Sequence, residues 1–241
     1  MLNEKLEQLK NIIDNSQYMV FFGGAGVSTE SNIPDFRSAD GLYTKKYPYP
    51  AEIMLSHSFF KSNTEDFYDF YINNMIFLDA KPNAAHIALA KLEERGILKA
   101  VITQNIDGLH QAALSHKVYE LHGSIHRNYC MACRKPYELS YIIENKPIPK
   151  CCCGAVVKPD VVLYEEGLDT NTVNEAVSHI KKADTLIIGG TSLAVYPAAS
   201  LIQFFKGNNL VVINKSETGG DYLANLIINE PIGKVLESVV E

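Results

Sequence analysis

Tyr18-Met19-Val20-Phe21-Phe22-Gly23-Gly24-Ala25-Gly26-Val27-Ser28-Thr29 is the stretch on which the fold turns. An unbroken apolar and aromatic run passes directly into a turn of small residues. The run is too short for a buried helix and suits a parallel strand covered on both faces. The glycines that follow let backbone N–H groups come close to a ligand at the start of a helix, the arrangement that holds a pyrophosphate. Thr29 stands where the third glycine of a dinucleotide fingerprint would fall. Taken alone, the turn is therefore also compatible with a tight connection that binds nothing.

The same rhythm recurs outward from this stretch. Lys99–Thr103, Thr185–Ile188 and Leu210–Ile213 are short apolar runs bounded by turn or polar residues, and each reads as a strand. Asn83–Arg95 reads as a helix stopped by Gly96, and Ala198–Phe205 as another entered through Pro197. Met1–Asn15 carries Leu2, Leu6, Leu9, Ile12 and Ile13 at helical spacing among mixed charges, an amphipathic helix. Alternating strands and helices imply an α/β fold with a Rossmann-like parallel sheet. Two stretches interrupt it. Residues 40–80 are rich in Tyr and Phe and read as a helical insert; residues 127–154 hold every cysteine. The expected organisation is one domain over 1–241. In it, 1–39, 81–126 and 155–241 form the Rossmann-like part, and 40–80 and 127–154 build a smaller one.

Composition narrows the function. With 241 residues, 46% hydrophobic and 21% charged, the chain can bury a core and is not disordered. A net charge of −6 argues against a nucleic-acid binder, which needs clustered Lys and Arg. The first residues lack the continuous apolar region of a signal peptide, and no run approaches the ~18 residues of a membrane span. A cytoplasmic protein with no membrane partner is expected.

Five cysteines fall between Cys130 and Cys153, an odd number crowded together, unlike a secreted disulfide framework. Cys130 and Cys133 form a CxxC pair; Cys151, Cys152 and Cys153 are adjacent. Two close thiolate pairs suit tetrahedral zinc, and four protein ligands with no open position make such a site structural. Cys151 and Cys153 are taken as the second pair because neighbouring side chains tend to point apart. Redox chemistry is the competing use.

Polar loops follow the strands. Ile33-Pro34-Asp35-Phe36-Arg37-Ser38 sets an acid, an aromatic and a base in a row after the glycine turn. Thr103-Gln104-Asn105-Ile106-Asp107-Gly108-Leu109-His110 lies at a strand's carboxyl end, where open α/β sheets bind ligands. Its amides and carboxylate suit ribose hydroxyls and a carboxamide, although ordinary polar loops carry the same residue types. Glu120-Leu121-His122-Gly123-Ser124 offers an imidazole that could take a proton from a sugar hydroxyl; composition does not favour it over the other histidines. Gly189-Gly190-Thr191-Ser192 and Asn214 also sit at strand ends.

Together, in this order, GAGVSTESNIPDFRS, TQNIDGLH, ELHGS, the cysteine pairs, KPDVVLYEE, GGTSLAVYPAA and VVIN resemble the sirtuin family of NAD-dependent protein deacylases, of the compact bacterial type. The resemblance covers about Gln17 to Gly233. It implies NAD as co-substrate in a cleft between the Rossmann-like part and a small part with one structural zinc. It assigns Ala25 and Thr29 to the pyrophosphate and ribose, and Phe36 and Arg37 to the nicotinamide ribose. Gln104 and Asn105 match ribose and water contacts, with Asn105 among the catalytic residues. Ile106 and Asp107 match the nicotinamide pocket, and His122 the catalytic base. Thr191, Ser192, Asn214 and Ile232 match the adenosine side. Residues Val161–Glu166 and Leu193–Pro197 correspond to two strands that receive an acetyl-lysine peptide between them as a third. The implied reaction transfers the acetyl group to ADP-ribose, giving free lysine, nicotinamide and 2′-O-acetyl-ADP-ribose.

Departures from the family pattern sharpen these expectations. The usual Phe-Gly-Glu is Tyr164-Glu165-Glu166, which puts a charge by the peptide groove and would favour basic residues beside the target lysine. The stretch Tyr71-Ile72-Asn73-Asn74 lacks the arginine of desuccinylating members, so neutral acyl groups are expected. The competing functions are ADP-ribosyl transfer or NAD hydrolysis on the same fold, and a non-catalytic NAD or ADP-ribose sensor.

Overall fold

The apolar runs become strands. In chain order these are β1 (Met19–Gly23), β2 (Leu98–Thr103), β3 (Val118–Glu120), β4 (Gly123–Cys130), β5 (Pro136–Tyr137), β6 (Val157–Val161), β7 (Thr185–Gly189), β8 (Asn209–Ile213) and β9 (Leu226–Ile228). The helices are α1 (Leu2–Asn15), α2 (Ala51–Met54), α3 (His57–Ser62), α4 (Thr64–Met75), α5 (Ala84–Glu94), α6 (Leu109–Ala112), α7 (Leu139–Glu144), α8 (Thr170–Lys182) and α9 (Ile232–Val239). The computed structural model describes residues 2–36, 41–42 and 47–240.

Six strands form a parallel sheet in the order β3-β2-β1-β7-β8-β9. Successive side chains point to opposite faces. Met19, Phe21, Val101, Ile187 and Val211 therefore join one core with α1, α5 and α9. Val20, Phe22, Ile102, Ile188 and Val212 join another with α8 and the 3₁₀ helix Ala198–Phe204. Asn83 caps α5 by accepting the Ala85 N–H at 2.9 Å, and Gly96 takes a left-handed φ of 71° just past its end. The segment after Pro197, expected as a helix, winds more tightly, with Ser200 N–H donating to the Pro197 carbonyl three residues back. No helix among the described residues is long and apolar enough to cross a membrane.

The second sheet is antiparallel, in the order β5-β4-β6. It takes in residues 123–126 and 157–161, which lie outside 127–154, because Ile125, Val157 and Val161 share a core with Cys130 and Cys151. The same core receives Phe59, Phe60, Phe67, Tyr68, Phe70 and Tyr71 from α3 and α4. The helical insert and the cysteine region thus pack as one body.

Candidate active site

The sheet order reverses between β1 and β7, and open parallel sheets bind ligands at such a point, beyond the carboxyl ends of the strands. Here the loops after β1 and β7 meet backbone to backbone. Gly26 N–H donates to the Gly190 carbonyl at 2.8 Å, and Gly24 N–H to the Gly189 carbonyl at 3.3 Å. Gly190 has φ 59°, and a Cβ built on it would lie 2.3 Å from Val27 N. Only glycine fits, for both reasons.

A cavity of about 500 Å³ opens above this junction, within the range of small-molecule and cofactor sites. It is lined by Ala25, Thr29 and Phe36 from the first loop, Gln104–Asp107 after β2 and His122 after β3. Thr191 and Ser192 after β7, Asn214 after β8 and Ile232 at the start of α9 complete that set. Every described residue assigned to catalysis or cofactor from the sequence therefore faces one cavity. Arg37 lies outside the described residues. The opposite wall comes from the smaller body, through Leu42, Leu55, Asn74, Met75, Ile125 and Val161–Glu166.

Polar side chains in the cavity hold one another. Gln104 Nε2 donates to Thr191 Oγ1 at 3.2 Å, tying the β2 loop to the β7 loop. Asp107 accepts the Leu109 N–H at 2.9 Å, so its loop is fixed to the start of α6. His122 Nδ1 lies 3.0 Å from the Gln104 carbonyl. A carbonyl only accepts, so Nδ1 carries the hydrogen and Nε2 keeps a free lone pair. Burial pushes the His122 pKa below its usual 6.5, against the opposing pull of that carbonyl. The ring is thus neutral, with Nε2 able to accept a proton.

The sulfurs of Cys130, Cys133, Cys151 and Cys153 all lie within 4.8 Å of one another. Pairs stand 3.5 Å (Cys130–Cys153), 3.6 Å (Cys133–Cys151) and 3.8 Å (Cys133–Cys153) apart. A tetrahedron of thiolates at the usual zinc–sulfur distance has edges of about 3.8 Å. The Cys133 N–H points at Cys130 Sγ from 3.4 Å and lowers that thiol's pKa; the Cys153 N–H and the Tyr137 hydroxyl lower that of Cys151 to about 5, while the neighbouring thiols raise those of Cys133 and Cys153. The donor set fits a zinc ion. Cys152 is exposed and lies outside the four.

A family model described as Sir2 family matches residues 24–197, from the glycine turn to the Tyr196-Pro197 loop. The chain belongs to the Sir2 family. Among its relatives, an NAD-dependent protein deacetylase of Clostridium acetobutylicum is 63% identical over 244 residues, covering 100% of both chains. A Sir2 structure with p53 peptide and NAD+ superposes with a TM-score of 0.87 at 38% identity, over 97% of this chain and 96% of that one. Another, with deacetylated p53 peptide and 3′-O-acetyl ADP ribose, gives 0.90 at 39% identity, over 97% and 96%.

Within this Sir2 chain, sequence reasoning passed over Ser28. Its hydroxyl donates to Asp107 Oδ2 at 2.7 Å and accepts from Asn105 Nδ2 at 3.1 Å, so one buried hydroxyl joins two motifs. Its presence in the glycine turn was the available signal. The Tyr164-Glu165-Glu166 departure also gains a physical account. Residue 165 has φ 74°, a conformation that favours glycine, and its carboxylate accepts the Ser58 N–H at 2.9 Å and the Ser58 hydroxyl at 2.6 Å. The charge is engaged at the first turn of α3. Glu166 joins His57, Lys158 and the Leu163 N–H, fastening the Val161–Glu166 wall to the smaller body.

Proposed function

We infer that His122, with Nδ1–H held by the Gln104 carbonyl, is the general base of this NAD-dependent protein deacetylase. The single observation behind this is the tautomer: a partly buried, neutral ring whose Nε2 keeps its lone pair in a residue that lines the cavity. NAD, the co-substrate, supplies when bound the ribose carbon that takes up the acetyl oxygen as nicotinamide leaves.

This chain's residues then divide the work. Ala25, Thr29, Thr191, Ser192, Asn214 and Ile232 hold the pyrophosphate and adenosine half. Ile106 and Asp107 hold the carboxamide end, with Ser28 fixing the Asp107 carboxylate. Phe36, packed against the aromatic core of the smaller body, covers the reacting centre from water, and Arg37 stands beside it in sequence. Gln104 and Asn105 orient the ribose hydroxyls. His122 removes a proton from one of them, which lets the 2′-oxygen attack the acetyl carbon. The bond from that carbon to the lysine nitrogen then breaks, the amine leaves as free lysine, and one water adds at the acetyl carbon to give 2′-O-acetyl-ADP-ribose.

Cys130, Cys133, Cys151 and Cys153 hold one zinc ion, remote from the bond changes. The substrate is an acetyl-lysine peptide laid as a strand between Val161–Glu166 and Leu193–Pro197 in a cytoplasmic setting. Among the described residues lining the cavity, the one cation is Lys215, after β8; the wall from the smaller body carries Asn74, Met75 and Phe77. Among the described residues that wall offers no cationic partner to an acidic acyl group, so neutral chains are preferred.

The test is to incubate the protein with NAD and an acetyl-lysine peptide and follow the peptide by mass. Loss of one acetyl group with nicotinamide release is expected. NAD consumption at the same rate with and without peptide, with the peptide unchanged, overturns the reading and leaves an NAD hydrolase.

A further inference from the structure

We propose that Glu30 is a positioning residue for NAD: its carboxylate latches the N-terminus of α9 to the first loop and so sets the adenosine end of the cleft. The proposal rests on the reading of this cavity as the NAD site.

The first turn of a helix leaves backbone N–H groups without intrahelical partners, and a carboxylate there also meets the favourable end of the helix dipole. α9 begins after Pro231, which supplies no side-chain cap. Its missing acceptor comes from across the chain: Glu30 Oε2 accepts the Gly233 N–H at 2.7 Å, 203 residues away in sequence. Gly233 is shaped to this contact. A Cβ there would lie 2.8 Å from both carboxylate oxygens of Glu30, so any side chain pushes the carboxylate off the helix.

Both partners of the latch adjoin the cavity wall. Glu30 sits in the 3₁₀ turn Thr29–Ser31, next to Thr29, whose hydroxyl donates to the Gly26 carbonyl at 3.0 Å. Gly233 follows Ile232, which lines the cavity, as do Ala25, Gly26 and Thr29 across from it. The rest of the first loop is fixed elsewhere, to Gly190 through Gly26 and to Asn83 through the Val27 carbonyl at 2.7 Å. α9 is held on its inner side by Val235, Leu236 and Val239 in the core. Among the described residues, the Glu30–Gly233 hydrogen bond joins these two fixed pieces to each other at the cleft. Without it, binding must order the wall each time, which lowers affinity without touching the groups around His122.

The test is steady-state kinetics on the whole protein with acetyl-lysine peptide and varied NAD, together with calorimetric binding of ADP-ribose. Glu30→Ala should raise KM for NAD and Kd for ADP-ribose about five-fold, the scale of a lost helix cap, with kcat unchanged. Glu30→Gln, which keeps an acceptor, should recover most of the loss. Gly233→Ala should raise KM similarly while Tm holds or rises, because alanine is the better helix former. The double variant should be no worse than either single one, since both remove the same contact. An unchanged KM in Glu30→Ala, or a fall in kcat and Tm that Glu30→Gln does not relieve, overturns the latch. A wild-type protein that fails to bind ADP-ribose overturns the reading of the cleft and the latch with it; wild-type binding that Glu30→Ala leaves unaltered overturns the latch alone.

Discussion

In the six-stranded sheet, Met19, Phe21 and Ile187 enter one core while Val20, Phe22 and Ile188 enter another, so the central strands β1 and β7 are buried from both sides. The three-stranded sheet is built differently. β5 is two residues long, and one shared core of insert aromatics, sheet residues and two buried cysteines supports the whole smaller body. The larger part has apolar burial on both faces of its central strands. The smaller one has one apolar core and adds a cluster of four thiols, and a metal bound there would contribute folding energy directly.

The largest expected effect breaks the comparison open. Cys133→Ser should release the zinc and unfold the smaller body while the parallel sheet stays folded. Metal analysis and hydrogen exchange would read this as lost protection in β4 and β6 with retained protection in β1 and β7. A metal-free protein with full protection in β4 and full activity would show that the smaller body does not depend on the cluster.

Next in size is His122→Ala, which should lower deacetylation by about 10²- to 10⁴-fold while ADP-ribose still binds. Only the larger part's chemistry is touched, so exchange protection in both bodies should be unchanged. The pH profile carries the sign of the shift. Burial lowers the pKa, so the neutral base persists below pH 6.5 and the acidic limb of kcat/KM should fall below that of a free imidazole. A limb at or above 6.5 contradicts the environment described for this ring.

A smaller effect separates the two parts by acid. His86 and His110 pack edge to face, ring centroids 4.7 Å apart, beneath the Asp107 loop, and burial lowers their pKa values to about 4 and about 3. Both nitrogens of His110 lack a hydrogen-bond partner among the described residues. The folded state keeps these rings neutral while the unfolded chain takes up protons from about pH 6.5 downward. Their contribution is therefore complete above 6.5 and is lost as pH falls toward the folded values. His110→Leu should flatten the fall in Tm between pH 6.5 and 4.5, measured by thermal denaturation. An equal fall in the variant and the wild type would remove the pair from the account.

The larger part was the more legible of the two in sequence, for the same reason. Strands buried on both faces leave continuous apolar runs such as Tyr18–Phe22, and ligand loops follow them at predictable ends. The described residues assigned to the cleft, from Ala25 to Ile232, line one cavity because they lie on the loops that follow such ends or, for Ile232, at the start of the helix after one. The smaller body was readable through its cysteines but not its limits. Ile125 and Val157 sit in stretches with no period of their own, and only the β4–β6 pairing gives them a partner. Ser28 and Glu30 were hidden for another reason: their partners are Asp107, Asn105 and Gly233, and contacts across 77 to 203 residues leave no local pattern.

The smallest predicted effect lies where the two parts meet, at Glu165. A left-handed φ of 74° costs a residue with a Cβ more than it costs glycine, whereas the carboxylate returns something by accepting two hydrogen bonds from Ser58. Ser58 lowers the Glu165 pKa through its hydroxyl and then its N–H, so the group stays ionised at the start of α3. Glu165→Ala keeps the strain and loses both bonds; Glu165→Gly loses the bonds and the strain together. The expected order of Tm is therefore wild type close to Glu165→Gly, with Glu165→Ala lowest. An exposed carboxylate already paired this way gives little to a passing peptide, because solvent and salt screen what remains. The ratio of kcat/KM for lysine-rich over neutral acetyl-lysine peptides should accordingly change less than two-fold in Glu165→Gly, an upper bound of about 0.4 kcal/mol on the charge's role in choosing substrates. A larger change would mean that the carboxylate leaves Ser58 when peptide arrives, and that the wall between the two bodies reads sequence as well as backbone.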